Sequence, residues 1–269
     1  MFKTSLCALA VVAASSSFAH DLMVLPSKSI LSAVPANVAV DVTATHNVYR
    51  FDKAVSPDNV TVYGPDGKRI RDLGTMVKGA TRTSFDLNVT EEGTYKITYG
   101  SSMAGYMTTY EVGERNTRKR LRGNQQEMAD QIPADAKNIE TTKMGRTGVT
   151  YITSKAPTDT VLKPSNQGFE MVPVTHPADY INGEEIEIKA LMDGKPLAGA
   201  KVVVKAESAI YGIAEEPVEV STNKSGVASF TLDNAGRYNA AVSYSGPSND
   251  PLADKEAYTV FYTFEVVYE

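Results

Sequence analysis

The chain has 269 residues and a net charge of −5, with 32 aspartates and glutamates against 27 lysines and arginines. This acidic balance argues against a nucleic-acid partner, because such partners require a basic surface. The length fits two domains. The single cysteine, Cys7, excludes an internal disulfide framework and a multi-thiolate metal site.

The first 19 residues have the three-part pattern of a secretory signal peptide. Lys3 supplies the positive charge, residues 6–14 form an apolar run, and the small residues Ser17 and Ala19 precede the predicted cut. The apolar run is far shorter than the roughly 20 residues that span a bilayer, and no other stretch qualifies. Removing 19 of the 269 residues leaves 250, without a cysteine. We expect a bacterial periplasmic protein with no transmembrane segment after cleavage.

Residues 20–113 are predicted to form a β-sandwich. Short segments alternate apolar and polar residues, as half-buried strands do, and turn signals separate them. Between two of them, Gly64-Pro65-Asp66-Gly67 predicts a turn, since Pro fixes φ and Gly supplies a positive φ. The predicted strands are residues 21–25, 37–45, 59–63, 83–89, 94–99 and 106–112.

Residues 114–167 are predicted to be an irregular connector. A polar segment at residues 124–136 is predicted as a short helix, and residues 147–153 as one strand. The connector also carries a basic cluster, which is either a solvated face or a contact for anionic lipid or an acidic partner. The cluster consists of Arg115, Arg118, Lys119, Arg120 and Arg122.

Residues 168–269 are predicted to form a second β-sandwich. Residues 184–191 alternate cleanly, with Ile186, Ile188 and Ala190 expected to face inward. Residues 258–268 are the most β-prone stretch, and we expect a central or covered strand there because an exposed one would aggregate. The fold class is thus all-β, with two tandem sandwiches and an irregular connector. The other predicted strands are residues 169–174, 200–206, 218–221, 227–232 and 238–244.

Cleavage after Ala19 would make His20 the first residue of the mature chain. Its free α-amine and Nδ1 would chelate one divalent ion, and His46 would add a third nitrogen if the first strand pairs with residues 37–45. Such a nitrogen-rich set suits Cu(II) or Ni(II). Asp21 would add an oxygen ligand or orient an imidazole.

The alternative interpretation is structural. His20 then follows only from the position of the cut, and His46 is an ordinary residue at the end of a strand. The third histidine, His176, precedes Pro177 and is predicted to lie in an extended loop, in a structural or exposed role.

Three motifs of the second domain resemble the transthyretin-like and bacterial Ig-like modules of exported proteins. They are D-G-K-P-L-A-G-A-K-V at residues 193–202, T-N-K-S-G-V-A-S-F at residues 222–230 and G-R-Y at residues 236–238. This resemblance implies the fold of the domain and not its function.

A second resemblance extends over nearly all of the mature chain. A-H-D-L-M-V-L-P-S at residues 19–27, Thr45-His46, and F-E-M-V-P-V-T-H-P at residues 169–177 are similar to the DUF4198 family. That family is described as a periplasmic component associated with nickel or cobalt uptake, and the resemblance implies metal handling at His20 and His46. Met23 and Thr45 depart from the family pattern, which usually has an aromatic residue and a glycine there.

The expected function is therefore a periplasmic accessory protein that binds Ni, Co or Cu ions and supports uptake by a membrane metal transporter. The alternative is an exported binding, adhesion or structural module without a metal, in which Tyr99, Tyr106 and Tyr110 line a ligand face. We expect no enzyme, since the sequence has no G-x-S-x-G, P-loop or H-E-x-x-H motif. Copper monooxygenases also chelate through an amino-terminal histidine, but the tryptophan of their common substrate platform is absent here.

Overall fold

The computed structural model describes residues 20–212 and 216–268, with the backbone alone for residues 101–104. The predicted signal peptide lies outside the described residues. Strands and short 3-10 turns build these two ranges, which confirms the all-β prediction. Within them, no helix is long and apolar enough to cross a membrane.

The strands follow one another through both halves of the chain. They are β1 (Asp21–Pro26), β2 (Ile30–Leu31), β3 (Ala36–Thr45), β4 (Lys53–Ala54), β5 (Val60–Tyr63), β6 (Arg69–Ile70), β7 (Val77–Lys78), β8 (Thr83–Val89), β9 (Gly93–Val112), β10 (Thr117–Arg122), β11 (Lys137–Ser154), β12 (Phe169–Pro173), β13 (Glu185–Met192), β14 (Lys195–Pro196), β15 (Lys201–Ala206), β16 (Val218–Ser221), β17 (Val227–Thr231), β18 (Gly236–Pro247) and β19 (Lys255–Val266). Short 3-10 helices lie at Pro57–Asn59, Ala129–Gln131, Thr160–Leu162, Pro177–Asp179 and Glu207–Tyr211.

One large sheet runs through both halves of the molecule. Its strand order is β16-β15-β18-β19-β11-β9-β5-β6, with β10 beside β9 and β2 beside β11. A smaller sheet, β1-β3-β8-β7 with β4 beside β3, comes from the first half, and another, β12-β13-β14 with β17 beside β13, comes from the second. Each smaller sheet packs on one part of the large sheet, so the two sandwiches have a sheet in common.

The first core lies between β3 and β8 on one side and β5, β9 and β11 on the other. Tyr95, Ile97 and Ile152 from the large sheet meet Val38, Val40, Val42, Phe85 and Leu87 from the small one. Tyr95, Ile97 and Tyr99 of β9 face this core, as their alternation with polar residues predicts.

The second core is aromatic, and β19 supplies much of it. Tyr262 and Phe264 pack with their ring centroids 4.9 Å apart, and Tyr180 meets Phe264 edge-on at 5.3 Å. Ile186, Ile188 and Ala190 point inward from β13, as predicted. Strand β19 is covered on both edges, by β18 and by β11, which confirms its expected central position.

Both sandwiches contain the same tyrosine-based turn. The hydroxyl of Tyr95 donates a hydrogen bond to the carbonyl of Glu91 at 3.2 Å, and that of Tyr238 donates to the carbonyl of Asn234 at 2.7 Å. Each tyrosine follows a glycine that opens a long strand. This return of a tyrosine hydroxyl to the preceding backbone is a hallmark of Ig-like sandwiches.

The segment predicted as an irregular connector contains two strands, β10 and β11. Residues 124–136 hold only the 3-10 turn Ala129–Gln131, and the predicted strand at residues 147–153 is the end of the much longer β11. Strand β11 pairs antiparallel with β9 and parallel with β19, so it joins the two halves of the large sheet. The first residues of β11 are mostly polar on both faces. This part of the strand therefore lacks the alternation of apolar and polar residues from which strands are predicted.

The basic cluster lies on β10 and the turn before it. Strand β10 is an edge strand that pairs only with β9 among the described strands, and Arg118, Lys119 and Arg120 are exposed. Charged side chains on an edge strand oppose pairing with another chain. The exposure of these side chains on an edge strand agrees with the interpretation of the basic cluster as a solvated face.

Candidate metal centre

The pairing of β1 with β3 brings the first two histidines together. Asp21 lies opposite Thr45 in this antiparallel ladder, so the same register continued by one residue places His20 opposite His46. The imidazole ring centroids are 4.0 Å apart, and the ring planes are inclined by 48°. The first strand therefore pairs with the segment of residues 37–45, which is the condition for a shared site, and both histidines lie at one end of the small sheet.

A carboxylate that the sequence reasoning missed orients His46. Asp52 Oδ2 accepts a hydrogen bond from the His46 backbone N–H at 2.7 Å and lies 3.2 Å from His46 Nδ1. The neutral tautomer with its proton on Nδ1 would donate to Asp52 and keep a lone pair on Nε2. These hydrogen bonds, first among them the one from the His46 backbone, hold the pKa of Asp52 below its usual value.

The loop between His46 and Asp52 is fastened to β1. The backbone N–H of Tyr49 donates to Met23 Sδ at 2.9 Å, and Tyr49 has a positive φ of 62°. Val48 and Tyr49 are buried against Met23 and Leu25. Strand β1, which begins next to His20, and the loop that follows His46 thus pack together. This packing sets the spacing of the two rings.

The surroundings of His20 favour its neutral form. Loss of solvation lowers the pKa of His20 below 6.5, and the charges of His46, Lys53 and Arg146 lower it further, while Asp52 opposes the shift. A histidine must be neutral to bind a metal ion. The electrostatics of the pair therefore agree with ligand chemistry.

Asp21 is the first residue of β1 and directly follows His20. Its role as a ligand or as an orienting group stays a prediction. Burial raises the pKa of Asp21, and the charges of Lys205 and Arg146 oppose that shift. Among the described residues, Asp52 and not Asp21 is the carboxylate that contacts His46.

The donor set of this site is small. In the described part of the chain, no three side chains of the His, Cys, Asp and Glu types converge as a ready-made ion site. Two neutral imidazoles in contact can both reach one ion, since metal–nitrogen bonds are about 2 Å long. A third donor has to come from elsewhere, and the α-amine that cleavage after Ala19 would create on His20 fits this need.

His176 has a structural role far along the chain from this pair. Its Nδ1 accepts a hydrogen bond from the backbone N–H of Ala178 at 3.0 Å and so caps a 3-10 turn. Its Nε2 lies 3.1 Å from Thr94 Oγ1. Both ring nitrogens are engaged, in agreement with the structural role expected for this residue.

The three tyrosines considered as a ligand face have separate environments. Tyr110 is buried and Tyr99 packs against the first core. The hydroxyl of Tyr106 donates to Asp250 Oδ2 at 2.7 Å. Each side chain is explained by packing or by a hydrogen bond within the protein.

Comparisons with solved structures return matches at low similarity. The D0-D1 domain of Intimin is 12% identical, with 93% of this chain and 98% of that chain covered and a TM-score of 0.24. The D00-D0 domain of Intimin is 10% identical, with 92% and 99% covered and a TM-score of 0.20. A marsupial T cell receptor is 12% identical, with 93% and 73% covered and a TM-score of 0.23. The all-β architecture itself is established by the strands and their pairing.

A family comparison is more specific. No curated protein matches the chain. A family model described as "Domain of unknown function (DUF4198)" matches residues 17–246, which include the predicted cut site, both histidines of the pair and most of the second sandwich. The chain therefore belongs to the DUF4198 family.

Proposed function

We propose that the mature protein is a periplasmic accessory protein that binds Ni(II), Co(II) or Cu(II) at His20 and His46 and supports uptake of the ion. The observation that carries this proposal is the contact between the two imidazoles across the β1–β3 ladder, with ring centroids 4.0 Å apart. Residues 26 positions apart meet at the end of a rigid sheet, with Asp52 orienting one of the rings.

The proposed ligands are the α-amine and Nδ1 of His20 and Nε2 of His46. An amine and an imidazole on one residue form a chelate ring, and three nitrogen donors suit Cu(II) and Ni(II) better than they suit Mg(II) or Ca(II). Asp52 would act as the carboxylate that fixes the tautomer of a metal-bound histidine. Removal of the leader would thus create the ligand set.

An open site agrees with transfer of the ion to a partner. The side chain of His46 is 61% exposed, so a donor group of a membrane metal transporter has access to the ion. The periplasmic location and the transporter are supported by the pattern of residues 1–19 and by the resemblance to nickel- and cobalt-associated proteins.

Calorimetric titration of the processed protein tests this proposal. We expect protein that begins at His20 to bind Cu(II) or Ni(II). Protein with Gly-Ser-Gly-Ser added before His20 should bind at least about tenfold more weakly, because the His20 amine becomes an amide and the new amine is too far away to chelate with the ring. His46→Ala should have a similar effect. Asp52→Asn should weaken binding by about 10- to 100-fold, as loss of an outer-shell carboxylate typically does.

His176→Asn is the matched control, because an asparagine can still cap the turn at Ala178. Its affinity for each ion should equal that of the unmodified protein. Equal binding by the processed and the extended protein would contradict the amine chelate. Absence of binding to all three ions would favour an exported binding or structural module without a metal.

A further inference from the structure

A cavity lies at the junction of the two sandwiches, away from the histidine pair. Its volume is about 450 Å³, within the range of small-molecule sites. Strands β5, β9, β11 and β19 form its floor, and the segment from Thr160 to Met171 covers it. A site between two packed units is a common position for ligand binding.

The floor of the cavity is the outer face of the first sandwich. On β9, Tyr95 and Ile97 point into the first core, so Lys96 and Thr98 point to the opposite side and line the cavity. The same alternation on β5 brings Thr61 to the cavity while Val60 and Val62 are buried. A cationic group and hydroxyl groups therefore face a space that the segment from Thr160 to Met171 borders.

Lys96 is the central observation. Its amine lies 5.9 Å from the centre of the Tyr151 ring, and no carboxylate of a described residue lies within ion-pair distance of it. Burial lowers the pKa of Lys96, with the charge of Glu170 opposing the shift. A cation partly removed from water without a paired anion is costly, and an anionic ligand would offset that cost.

Glu170, the one acidic side chain among the described residues that line the cavity, already accepts hydrogen bonds within the protein. The two carboxylate oxygens of Glu170 accept hydrogen bonds from the backbone N–H groups of Ser165 and Asn166, at 2.9 and 2.8 Å. Glu170 thereby holds the covering loop in place. Lys163 on that loop is exposed and also has no ion-pair partner among the described residues. The cavity consequently has an excess of positive charge.

Part of the wall is apolar. Phe169 and Met171 from the cover and Val149 and Val260 from the floor line the cavity, together with the polar residues Thr147, Thr160 and Ser165. A ligand bound here meets cations, hydroxyls and hydrocarbon. Inorganic anions alone would leave the apolar walls without a partner.

We propose that this cavity binds a small organic anion. Its carboxylate or phosphate group would contact the amines of Lys96 and Lys163 and the hydroxyl of Thr98, and its apolar part would pack on Phe169 and Met171. Lysine binds such compact anionic groups as a point charge. This site is independent of the histidine pair, so neither proposal depends on the other.

Calorimetry and NMR with three matched probes test the proposal. Benzoate and phenyl phosphate have the same apolar ring with different anionic groups, and benzamide is a neutral counterpart of benzoate. We expect an anionic probe to bind and to shift the resonance of Lys96 in protein with ¹³C-methylated lysines, and benzamide to bind at least about tenfold more weakly. The tighter of the two anions identifies the anionic group.

Substitutions provide the second arm of the test. Lys96→Gln should reduce the affinity for the anionic probe about tenfold or more, since a hydrogen bond to a charged group is lost. Lys163→Gln, at an exposed position where folding is not at risk, should reduce it about threefold. Lys137→Gln, an exposed lysine on β11 outside the cavity, should leave it unchanged.

The proposal is overturned if benzamide binds as tightly as benzoate, or if neither anion binds at about 10 mM. It is also overturned if the lysine substitutions in the cavity have no more effect than Lys137→Gln. If Lys96→Gln does not fold, Lys163→Gln and the comparison of the charged with the neutral probe decide the outcome.

Discussion

At the scale of single residues, His20, His46 and Asp52 form the candidate metal centre. Their positions could be predicted only in part. The pattern of residues 37–45 predicts the strand that ends beside His46, and the signal pattern predicts the exposure of His20. The orienting role of Asp52 depends on the loop after β3, which folds back because Val48 and Tyr49 pack against β1. No periodic pattern in the sequence predicts the course of this loop.

The pKa of His20 gives a prediction at this scale. In metal-free protein we expect a value below 6.5, because lost solvation and the neighbouring charge of His46 disfavour the imidazolium. His46→Gln removes that charge and should raise the pKa of His20. Because the pKa of His20 is lowered in the folded protein, the unfolded chain binds a proton at this residue more readily than the folded chain does. His20 therefore makes the unsubstituted protein less stable as the pH falls below about 6.5.

Titration of the imidazole Cε1 proton by NMR measures this pKa directly. His176→Asn is again the control, because His176 is engaged with Thr94 and Ala178 rather than with His20. An unchanged or lower pKa of His20 in His46→Gln would show that the two rings do not interact as described.

At the scale of elements, strand β11 positions β1 and so supports the histidine pair. An added Cβ at Gly148 would lie 3.0 Å from Val24 Cγ2 and 3.6 Å from Leu22 Cβ, and Val24 is fully buried. Gly148→Ala should therefore lower the free energy of unfolding by about 1–3 kcal/mol, as overpacking of a core does. Urea denaturation measures this change.

Gly105→Ala is the matched control for that substitution. Gly105 also lies in a long strand, β9, but an added Cβ there meets no atom within 4 Å. Its effect on the free energy of unfolding should stay within about 0.5 kcal/mol. If both substitutions had the same effect, the close packing of β1 on Gly148 would not be needed for stability.

The long strands are also where sequence patterns are least informative. Residues 94–99 and 106–112 are predicted as two strands, but β9 continues through the glycines between them. Opposite this stretch, the register of the β9–β11 ladder shifts between Met144 and Arg146. The pairing is therefore irregular where β9 carries small residues. Shorter strands with one buried face, such as β8 at Thr83–Val89, coincide with their predicted bounds, because alternation specifies them fully.

At the scale of the whole molecule, the large sheet makes the two sandwiches depend on each other. Strand β11 sends Ile152 into the first core and Val149 and Tyr151 into the second. Its parallel pairing with β19 joins residues more than 100 positions apart, from Thr142 with Lys255 to Val149 with Tyr262. Such long-range pairing leaves no local signal, and so the sequence predicts two tandem sandwiches but not the sheet that joins them.

This architecture predicts that the two halves unfold together. Separating them would expose the edge of β19 and remove Val149 and Tyr151 from the second core, so an isolated chain of residues 168–268 should be unstable. We expect one calorimetric transition for the mature protein, with equal calorimetric and van't Hoff enthalpies. Gly148→Ala, a substitution in the first sandwich, should lower the unfolding temperature of the whole protein without splitting that transition. Two resolved transitions, or a cooperatively folded chain of residues 168–268, would mean that each sandwich is stable without β11 as a shared strand.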